Sequence, residues 1–376
     1  MISLYKKLST AAKNYTGPTL VYDLNFIRTR MIFLRDLCVE NNITPLFTVK
    51  SFPFKPVLAL AHEIMPGFEI SNLSEYALLP KDLCGKYLSI NDPTQQLGLT
   101  IPIPEQADNS CYVHLDKLTQ ESSQRIKKRK NTFYGLRIAH SSLIDTQDSY
   151  VLESRFGVTL QELVKNKALF LAQGLTGLHI HNGSENNSLS DYLGMFDQIF
   201  YHLEKAGIPI SFLNLGGGLH KLSDQALDEL MRRIQKKNAR KKVRVFFEPG
   251  HILSQQAGYA LGKILSIKEM YGHYYLTLDL SRKCHLKWSD PRYFSLEPPL
   301  QTEEYLELAP TKIHFGSPTC FEHDHIQTLE MPVLNQVLPF KEGEIIVFSH
   351  VNGYSAAWNT AFNGIPKAKV LYLQPS

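Results

Sequence analysis

Short apolar segments alternate with longer amphipathic segments over most of this chain, from about residue 18 to residue 255. Thr19–Tyr22 is typical of a strand, and the following Leu24–Glu40 carries apolar residues at helical spacing. Repeated strand–helix units with short connections give parallel strands, and a long series of them closes into a (β/α)8 barrel. We therefore expect residues 18–255 to form a barrel, with functional groups at the carboxyl ends of its strands.

The pattern changes after about residue 256, where strand-like runs are separated by turns and few long helices are indicated. Runs such as 257–267 and 344–348 are typical of strands in antiparallel sheets. Residues 256–376, together with 1–17, are expected to form a second domain. The predicted fold class is α/β: a (β/α)8 barrel with a C-terminal antiparallel β domain.

Composition and charge exclude several classes of protein. The 376 residues are 43% hydrophobic and 20% charged, which is typical of a globular chain. The net charge of +4 is small, and the basic runs 125–130 and 232–242 contain no aromatic residue, which argues against nucleic-acid binding. The five cysteines are scattered, and neither an apolar leader nor a membrane-length run is present. We expect a cytoplasmic protein that binds neither nucleic acid nor membranes.

Lys50 ends an apolar, strand-like run that begins at Pro45. A lysine at the end of a buried strand is costly unless it is paired or deprotonated, because desolvation disfavours the ammonium form. Such an amine suits a Schiff base with a carbonyl cofactor. The alternative is an ordinary lysine whose ammonium group reaches solvent.

Two further segments follow apolar strands. Gly216, Gly217 and Gly218 come after the run 210–215, and successive glycines allow backbone N–H groups to approach a phosphate closely. Glu248 follows the run 243–247, where its carboxylate could pair with a protonated pyridine nitrogen. The alternatives are a plain tight turn and a glutamate bonded to nearby amides.

His179 and His181 lie on one predicted strand and face the same side of it. No third ligand stands at motif distance, so we predict no metal site. A histidine that stacks on a ring, followed by the Ser184 hydroxyl, suits a flat aromatic cofactor with a phosphate tail.

The last third of the chain contributes three candidates. Cys320 lies on a Gly/Pro loop, where it is either a small packed residue or a proton donor. Tyr354 could bond a phosphate, and Phe362 could bind a substrate or serve packing only.

Taken in order, these segments resemble the fold-type III decarboxylases that depend on pyridoxal 5'-phosphate (PLP). That family shares the alanine-racemase-like barrel and a C-terminal β domain, and it includes ornithine, diaminopimelate and carboxynorspermidine decarboxylases. The resemblance runs from about Gly17 to Leu373. It implies PLP as the cofactor and an amino-acid-type small molecule as the substrate.

The resemblance also implies roles for individual residues. Lys50 would bind PLP covalently, His181 would stack on its ring, and Glu248 would pair with its pyridine nitrogen. Glu69 and Arg137 match family positions near Lys50 and the cofactor. The phosphate would be held by the glycine loop, Gly216, Gly217 and Gly218, and by the hydroxyl groups of Ser184 and Tyr354.

In this family the cysteine loop crosses a dimer interface, so the resemblance implies a homodimer with shared active sites. Cys320 and Asp324 would complete the site of the partner subunit. Cys320 would be the catalytic acid that protonates the substrate carbon after CO2 leaves.

The departures from the family pattern concern the substrate. Ornithine and diaminopimelate enzymes usually carry an acidic residue directly after the cysteine, where this chain has Phe321. The usual Glu-Pro-Gly-Arg segment ends here in His251. The pattern is most similar to the carboxynorspermidine branch, and a decarboxylase of siderophore or other secondary metabolism is an equal alternative. The predicted substrate-binding residues are Phe321, Asp324, His285 and Phe362.

Two other activities remain open on the same fold. An amino-acid racemase would commonly place an arginine, rather than Glu248, at the pyridine nitrogen. A non-catalytic PLP-binding homologue would lack the loop that the partner supplies, and Cys320, Asp324 and Tyr354 argue against it.

Overall fold

The computed structural model describes residues 2–97, 110–120, 126, 129–139, 154–181, 183, 188–296, 310–333 and 338–374. The chain divides into two compact units. One unit is Arg28–Leu253, and the other combines Met1–Ile27 with Ser254–Ser376.

The strands are numbered in chain order. In the described ranges they are β1 (Thr19–Asp23), β2 (Ile43–Thr48), β3 (Gly67–Ile70), β4 (Tyr87–Ile90), β5 (Ser110–Leu115), β6 (Thr132–Ile138), β7 (Gly177–Ile180), β8 (Phe212–Asn214), β9 (Arg244–Phe247), β10 (Gly258–Met270), β11 (His273–Leu278), β12 (Arg292–Tyr293), β13 (Pro310–Gly316), β14 (His325–Pro332), β15 (Ile345–Val351) and β16 (Lys369–Leu373). The α-helices there are Ile2–Lys13, Leu24–Glu40, Lys55–Ile64, Leu73–Leu78, Leu160–Lys165, Lys167–Ala172, Leu189–Ala206, Asp224–Asn238, His251–Ser254 and Gly353–Ala357.

Strands β2 to β9 form a closed barrel in which every neighbouring pair is parallel. The remaining strands form an eight-stranded sheet with mostly antiparallel pairs. The predicted fold class, a (β/α)8 barrel with an antiparallel β domain, is confirmed. Strand β4 was not among the predicted strands, although it closes the barrel between β3 and β5.

Strand β1 does not belong to the barrel, and the prediction that placed it there is wrong. It pairs antiparallel with β10 and parallel with β16, within the second unit. Four of its five residues are buried, so its apolar sequence correctly indicates a strand. Hydrophobic periodicity identifies a strand but not the neighbour it pairs with, and the neighbour decides the domain.

Large, mostly aromatic side chains fill part of the barrel interior. Leu46, Tyr112, Phe212 and Phe246 form one buried cluster. A side chain at Gly177 would lie 2.3 Å from the Phe212 ring, so only glycine leaves room for that ring. The interior is therefore a packed core, which leaves the carboxyl ends of the strands as the place for chemistry.

Capping residues determine both ends of the helix Leu189–Ala206, which follows β7. Ser188 and Asp191 form a reciprocal capping box at its start, and Gly207 adopts a left-handed conformation, with φ 61°, at its end. Its buried residues, among them Tyr192, Phe196 and Leu203, lie on one face at helical spacing. Tyr192 of this helix packs against Phe247 of β9 and donates to the Gly217 carbonyl at 2.6 Å, so the helix supports the loop after β8.

Candidate active site

Lys50 lies in a single 3₁₀ turn, Val49–Ser51, directly after β2. Its Nζ atom is 2.7 Å from Oε2 of Glu69, whose side chain is 0% exposed, whereas the Lys50 side chain is 38% exposed. The Ser71 hydroxyl donates to Glu69 Oε1 at 3.1 Å. The amine therefore lies at an accessible edge but is paired with a buried carboxylate, which is the costly environment that the sequence indicated.

Glu248 lies just past β9 and is held by three donors. Its Oε1 atom accepts hydrogen bonds from Ser89 Oγ at 3.0 Å, Asn91 Nδ2 at 2.8 Å and Asn214 Nδ2 at 2.6 Å. Its Oε2 atom has a longer contact, 3.3 Å, with Nε2 of His179. One carboxylate oxygen thus fixes the side chain, and the other is suited to accept a hydrogen bond from a ligand N–H.

Asn91 connects the two buried carboxylates. Its amide nitrogen donates to Glu248 Oε1 and, at 3.2 Å, to Glu69 Oε1. Sequence reasoning did not predict Ser89 or Asn91 as site residues, because strand β4, which contains Ser89 and ends just before Asn91, was not predicted. The available signal was the run Tyr87–Ile90, which is apolar apart from Ser89 and is followed by the polar residue Asn91.

His114, His179 and His181, at this end of the barrel, are neutral at neutral pH. Burial lowers the pKa of His114 and His179 well below the ordinary value, and the Arg137 charge lowers that of His179 further. Burial and the charges of Lys50 and Arg137 also lower the pKa of His181. The Gly217 N–H donates to His181 Nδ1 at 3.4 Å, so the proton of this ring is on Nε2.

Acidification should destabilise the fold before its carboxylates titrate. The unfolded chain binds protons at its histidines below about pH 6.5, whereas His114, His179 and His251 stay neutral when folded; burial lowers the pKa of His251 to about 3. The free energy of unfolding is therefore highest above pH 6.5. Below that pH it decreases by up to about 1.4 kcal/mol per pH unit for each such histidine.

Urea unfolding of the purified protein between pH 7.5 and pH 5 measures this dependence. The expected result is a denaturation midpoint that is constant above pH 7 and decreases steeply below pH 6.5. An unchanged midpoint down to pH 5 would contradict neutral burial of these histidines.

Arg137, on β6, lies beneath an aromatic ring. Its guanidinium carbon is 4.4 Å from the centre of the Phe156 ring, and that of Arg155 is also at 4.4 Å. Burial lowers the pKa of Arg137, while the nearby carboxylates of Asp116, Glu248 and Glu69 raise it. The arginine thus adds a fixed positive charge that offsets the two carboxylates of the site.

The glycine loop fits tightly against its neighbours. Gly216 and Gly218 have φ values of 65° and 84°, and a Cβ atom on Gly216 would lie 2.4 Å from the carbonyl oxygen of Ile180. A Cβ atom on Gly217 would lie 2.9 Å from the carbonyl oxygen of Glu248. Glycine is required at these positions because the backbone passes directly beside His181 and Glu248.

The turn after the glycine loop contains a feature that the sequence did not indicate. The rings of His220 and His251 are stacked, with centroids 4.1 Å apart and an interplanar angle of 10°. His251 is the residue that replaces the arginine of the family pattern. Its stacking partner, His220, lies two residues after the glycine loop, so two imidazole rings lie together where the family pattern has one arginine.

These residues fit PLP. An accessible amine, a buried carboxylate with one oxygen suited to an N–H donor, a neutral imidazole and a glycine loop all lie at the carboxyl ends of the barrel strands. Two buried polar atoms, His179 Nδ1 and Asn91 Oδ1, have no partner within the described residues, as expected of a polar site that receives a ligand.

Asp324, in the second unit, is engaged by its own chain. Its carboxylate accepts hydrogen bonds from the hydroxyls of Ser281 at 2.7 Å, Ser317 at 2.9 Å and Thr319 at 2.8 Å, and from the Lys283 N–H at 3.0 Å. These contacts fix the loop that carries Cys320. The structure thus gives Asp324 a positioning task, and direct substrate binding by it stays a prediction.

Cys320 and Phe321 are both exposed, with 45% of Phe321 accessible. The Lys283 ammonium lies 5.5 Å from the centre of the Phe321 ring. This loop borders a cavity of about 460 Å³ whose lining includes Tyr275 and His314. The carboxylates of Glu322 and Asp324 also line this cavity, so the surroundings of Phe321 combine aromatic rings with charges of both signs.

The other predicted residues of the second unit have varied surroundings. His285 is buried and uses both ring nitrogens, accepting from the Ser281 N–H and bonding the Pro366 carbonyl at 3.0 Å. Tyr354 lies in the short helix Gly353–Ala357, and Phe362 is exposed. Their substrate or phosphate contacts stay predictions.

Two observations concern only part of the chain. Ser184, the predicted phosphate-binding hydroxyl, lies outside the described residues. In the described ranges, no helix is both long and apolar enough to span a membrane, and no three His, Cys, Asp or Glu side chains are grouped as metal ligands.

Comparisons with known proteins agree with this site. Residues 111–255 match the pyridoxal-binding domain of the pyridoxal-dependent decarboxylases. Diaminopimelate decarboxylase of Halalkalibacterium halodurans is 25% identical over 401 aligned positions, which cover 96% of this chain and 88% of that protein. Ornithine decarboxylase 2 of Drosophila melanogaster is 24% identical over 53% of this chain and 52% of its own length.

Solved structures share the fold over nearly the whole chain. The arginine decarboxylase of Paramecium bursaria Chlorella virus, bound to agmatine, has a TM-score of 0.75 at 16% identity, covering 99% of this chain and 100% of that one. Carboxynorspermidine decarboxylase of Campylobacter jejuni has a TM-score of 0.68 at 19% identity, covering 95% and 94%. The chain is therefore similar to the pyridoxal-dependent decarboxylases over its pyridoxal-binding domain, residues 111–255, and shares the fold of these solved structures over nearly its whole length.

Proposed function

We propose that this protein removes CO2 from an amino acid or an amino-acid derivative, with PLP held covalently by Lys50. The observation that carries the proposal is the 2.7 Å pair between Lys50 and buried Glu69, at the same end of the barrel as the Glu248 network. Asn91 bonds both carboxylates, so the amine site and the proposed pyridine site are fixed relative to each other.

Bound PLP supplies a protonated ring that accepts the electron pair left behind when CO2 departs. Glu248 would keep a proton on the ring nitrogen, because its Oε2 atom can accept an N–H bond while Oε1 stays anchored. His181, neutral and beside the glycine loop, would lie against the ring without adding a positive charge. Lys50 would hold the cofactor through its amine.

Decarboxylation requires one proton for each CO2 released. The bond between Cα and the carboxylate carbon breaks, the electron pair remains with Cα, and an acid must then protonate Cα. We assign this acid to Cys320 of a partner subunit, in a homodimer with shared sites. The exposed position of Cys320, on a loop fixed by Asp324, is consistent with delivery to another subunit.

The substrate is proposed to lack a terminal ammonium group that binds at position 321. A phenyl ring cannot pair with an ammonium ion as a carboxylate does, and the charges around it, Lys283, Glu322 and Asp324, are of both signs. The first candidate is an amino acid whose tail bears no terminal ammonium group, as in the citryl-conjugated amino acids of siderophore metabolism. A polyamine precursor of the carboxynorspermidine type is the second candidate.

A CO2-release screen of the PLP-loaded protein tests the function. The substrates are ornithine, lysine, arginine, diaminopimelate, carboxynorspermidine and citryl-conjugated diamino acids, each also analysed for inversion at Cα. We expect CO2 release that is fastest with a citryl conjugate or carboxynorspermidine. Inversion without CO2 release would favour a racemase, and PLP binding without turnover of any compound would favour the non-catalytic homologue.

A further inference from the structure

A second cavity, of about 670 Å³, lies at the opposite end of the barrel from Lys50. Its lining residues stand at the beginnings of the strands: Ile43 opens β2, Tyr87 opens β4, Phe212 opens β8 and Arg244 opens β9. The volume falls in the range of small-molecule sites. Neither the decarboxylation chemistry nor the PLP-binding residues make use of this end of the barrel.

The cavity has aromatic walls. Tyr112 and Phe133 stack with centroids 5.1 Å apart and planes 16° apart. The Tyr87 and Tyr112 rings lie 6.3 Å apart. Tyr112 and Phe212 are almost fully buried and anchor the wall in the barrel core, while Phe133 is exposed at the rim. The ring surface that reaches the cavity is that of Phe133 and the half-buried Tyr87, against which a flat apolar molecule could replace solvent.

Two cations stand at the same cavity. Arg244 donates from Nη1 to the Tyr112 hydroxyl at 2.8 Å, and its guanidinium carbon lies 5.3 Å from the centre of the Tyr87 ring. Lys242 also lines the cavity. Among the described residues that line it, none is acidic, and neither cation has a carboxylate partner. Burial raises the pKa of Tyr112, so its hydroxyl does not neutralise Arg244.

The turn that presents these cations is fixed. The Asn238 side chain donates to the Val243 carbonyl at 2.6 Å and accepts from the Val243 N–H at 3.2 Å. Lys242, between them, has a φ of 54°, which costs about 1 kcal/mol for a residue with a side chain. A turn held in this conformation by two side-chain bonds is a preorganised support for the charges beside it.

We propose that this cavity binds a small planar aromatic carboxylate. The Tyr87 and Phe133 rings would contact its aromatic body, while the remaining guanidinium donors of Arg244 and the Lys242 ammonium would pair with its carboxylate. An aromatic amine of equal size would be repelled by both cations. The site is independent of the decarboxylase proposal, because it requires only the barrel and these side chains.

Isothermal titration calorimetry of the PLP-loaded protein tests the site, with indole-3-acetate as the probe and tryptamine as its cationic match. We expect binding of indole-3-acetate, weakened by added salt, and no heat from tryptamine. Arg244→Gln should weaken binding about tenfold or more, and Lys242→Gln should weaken it severalfold. Arg240→Gln, an exposed change on the same turn, is the control and should leave affinity unchanged.

Three results would overturn the proposal. They are no binding of indole-3-acetate at millimolar concentration, equal binding of tryptamine, or an equal loss of affinity in Arg240→Gln. If Arg244→Gln unfolds, Lys242→Gln decides the test, because the Lys242 side chain is exposed. An unchanged affinity in Lys242→Gln would then contradict the proposed carboxylate pairing.

Discussion

Lys50→Ala should lower the rate of CO2 release by about four orders of magnitude or more, because the amine that binds the cofactor is gone. The substitution also leaves buried Glu69 without its 2.7 Å partner, so some loss of stability is expected. Initial rates with saturating PLP measure the first effect, and thermal unfolding measures the second.

Lys50→Arg separates chemistry from structure. A guanidinium retains the positive charge beside Glu69 but does not form a stable covalent bond with the cofactor. The Lys50→Arg variant should therefore unfold at nearly the wild-type temperature and still be inactive. Activity above about one per cent in either variant would remove Lys50 from the proposed role.

Glu248→Gln should lower turnover by about two to four orders of magnitude, because an amide does not keep a proton on the ring nitrogen. The amide oxygen can still accept from Ser89, Asn91 and Asn214, so the fold should be retained. Steady-state kinetics and the absorption spectrum of bound PLP measure the effect.

A carboxylate elsewhere on the barrel provides the comparison for Glu248. Glu63 is exposed and pairs with Arg28, so Glu63→Gln removes the same charge at a distance from the site. It should leave turnover unchanged. A decrease of less than about threefold in Glu248→Gln would show that this glutamate does not tune the cofactor.

Sequence reasoning located the barrel and its principal polar residues, since a residue that ends an apolar strand is readily recognised. It missed Ser89 and Asn91, because polar Ser89 interrupts the apolar pattern of the short strand β4, which was therefore not predicted. Those two residues hold Glu248, so the sequence found the carboxylate but not the donors that fix it.

Long-range pairing accounts for the other differences. Strand β1 has the apolar sequence of a barrel strand, yet its partners are β10 and β16, which lie more than 200 residues away in the chain. Asp324 also accepts from Ser281, and His285 bonds Pro366, residues that are 43 and 81 positions away in the chain, so these two contacts depend on the folding of distant loops. Spacing along the sequence does not encode such contacts.

Borohydride reduction of the PLP-loaded protein, followed by peptide mapping, is the most direct test of the central claim. Reduction converts the bond between cofactor and lysine into a stable amine, so the labelled peptide identifies the residue. The account predicts one pyridoxyl group for each chain, on Lys50, and none in Lys50→Arg. Stable labelling of a different lysine, or no label in a protein saturated with PLP, would contradict it.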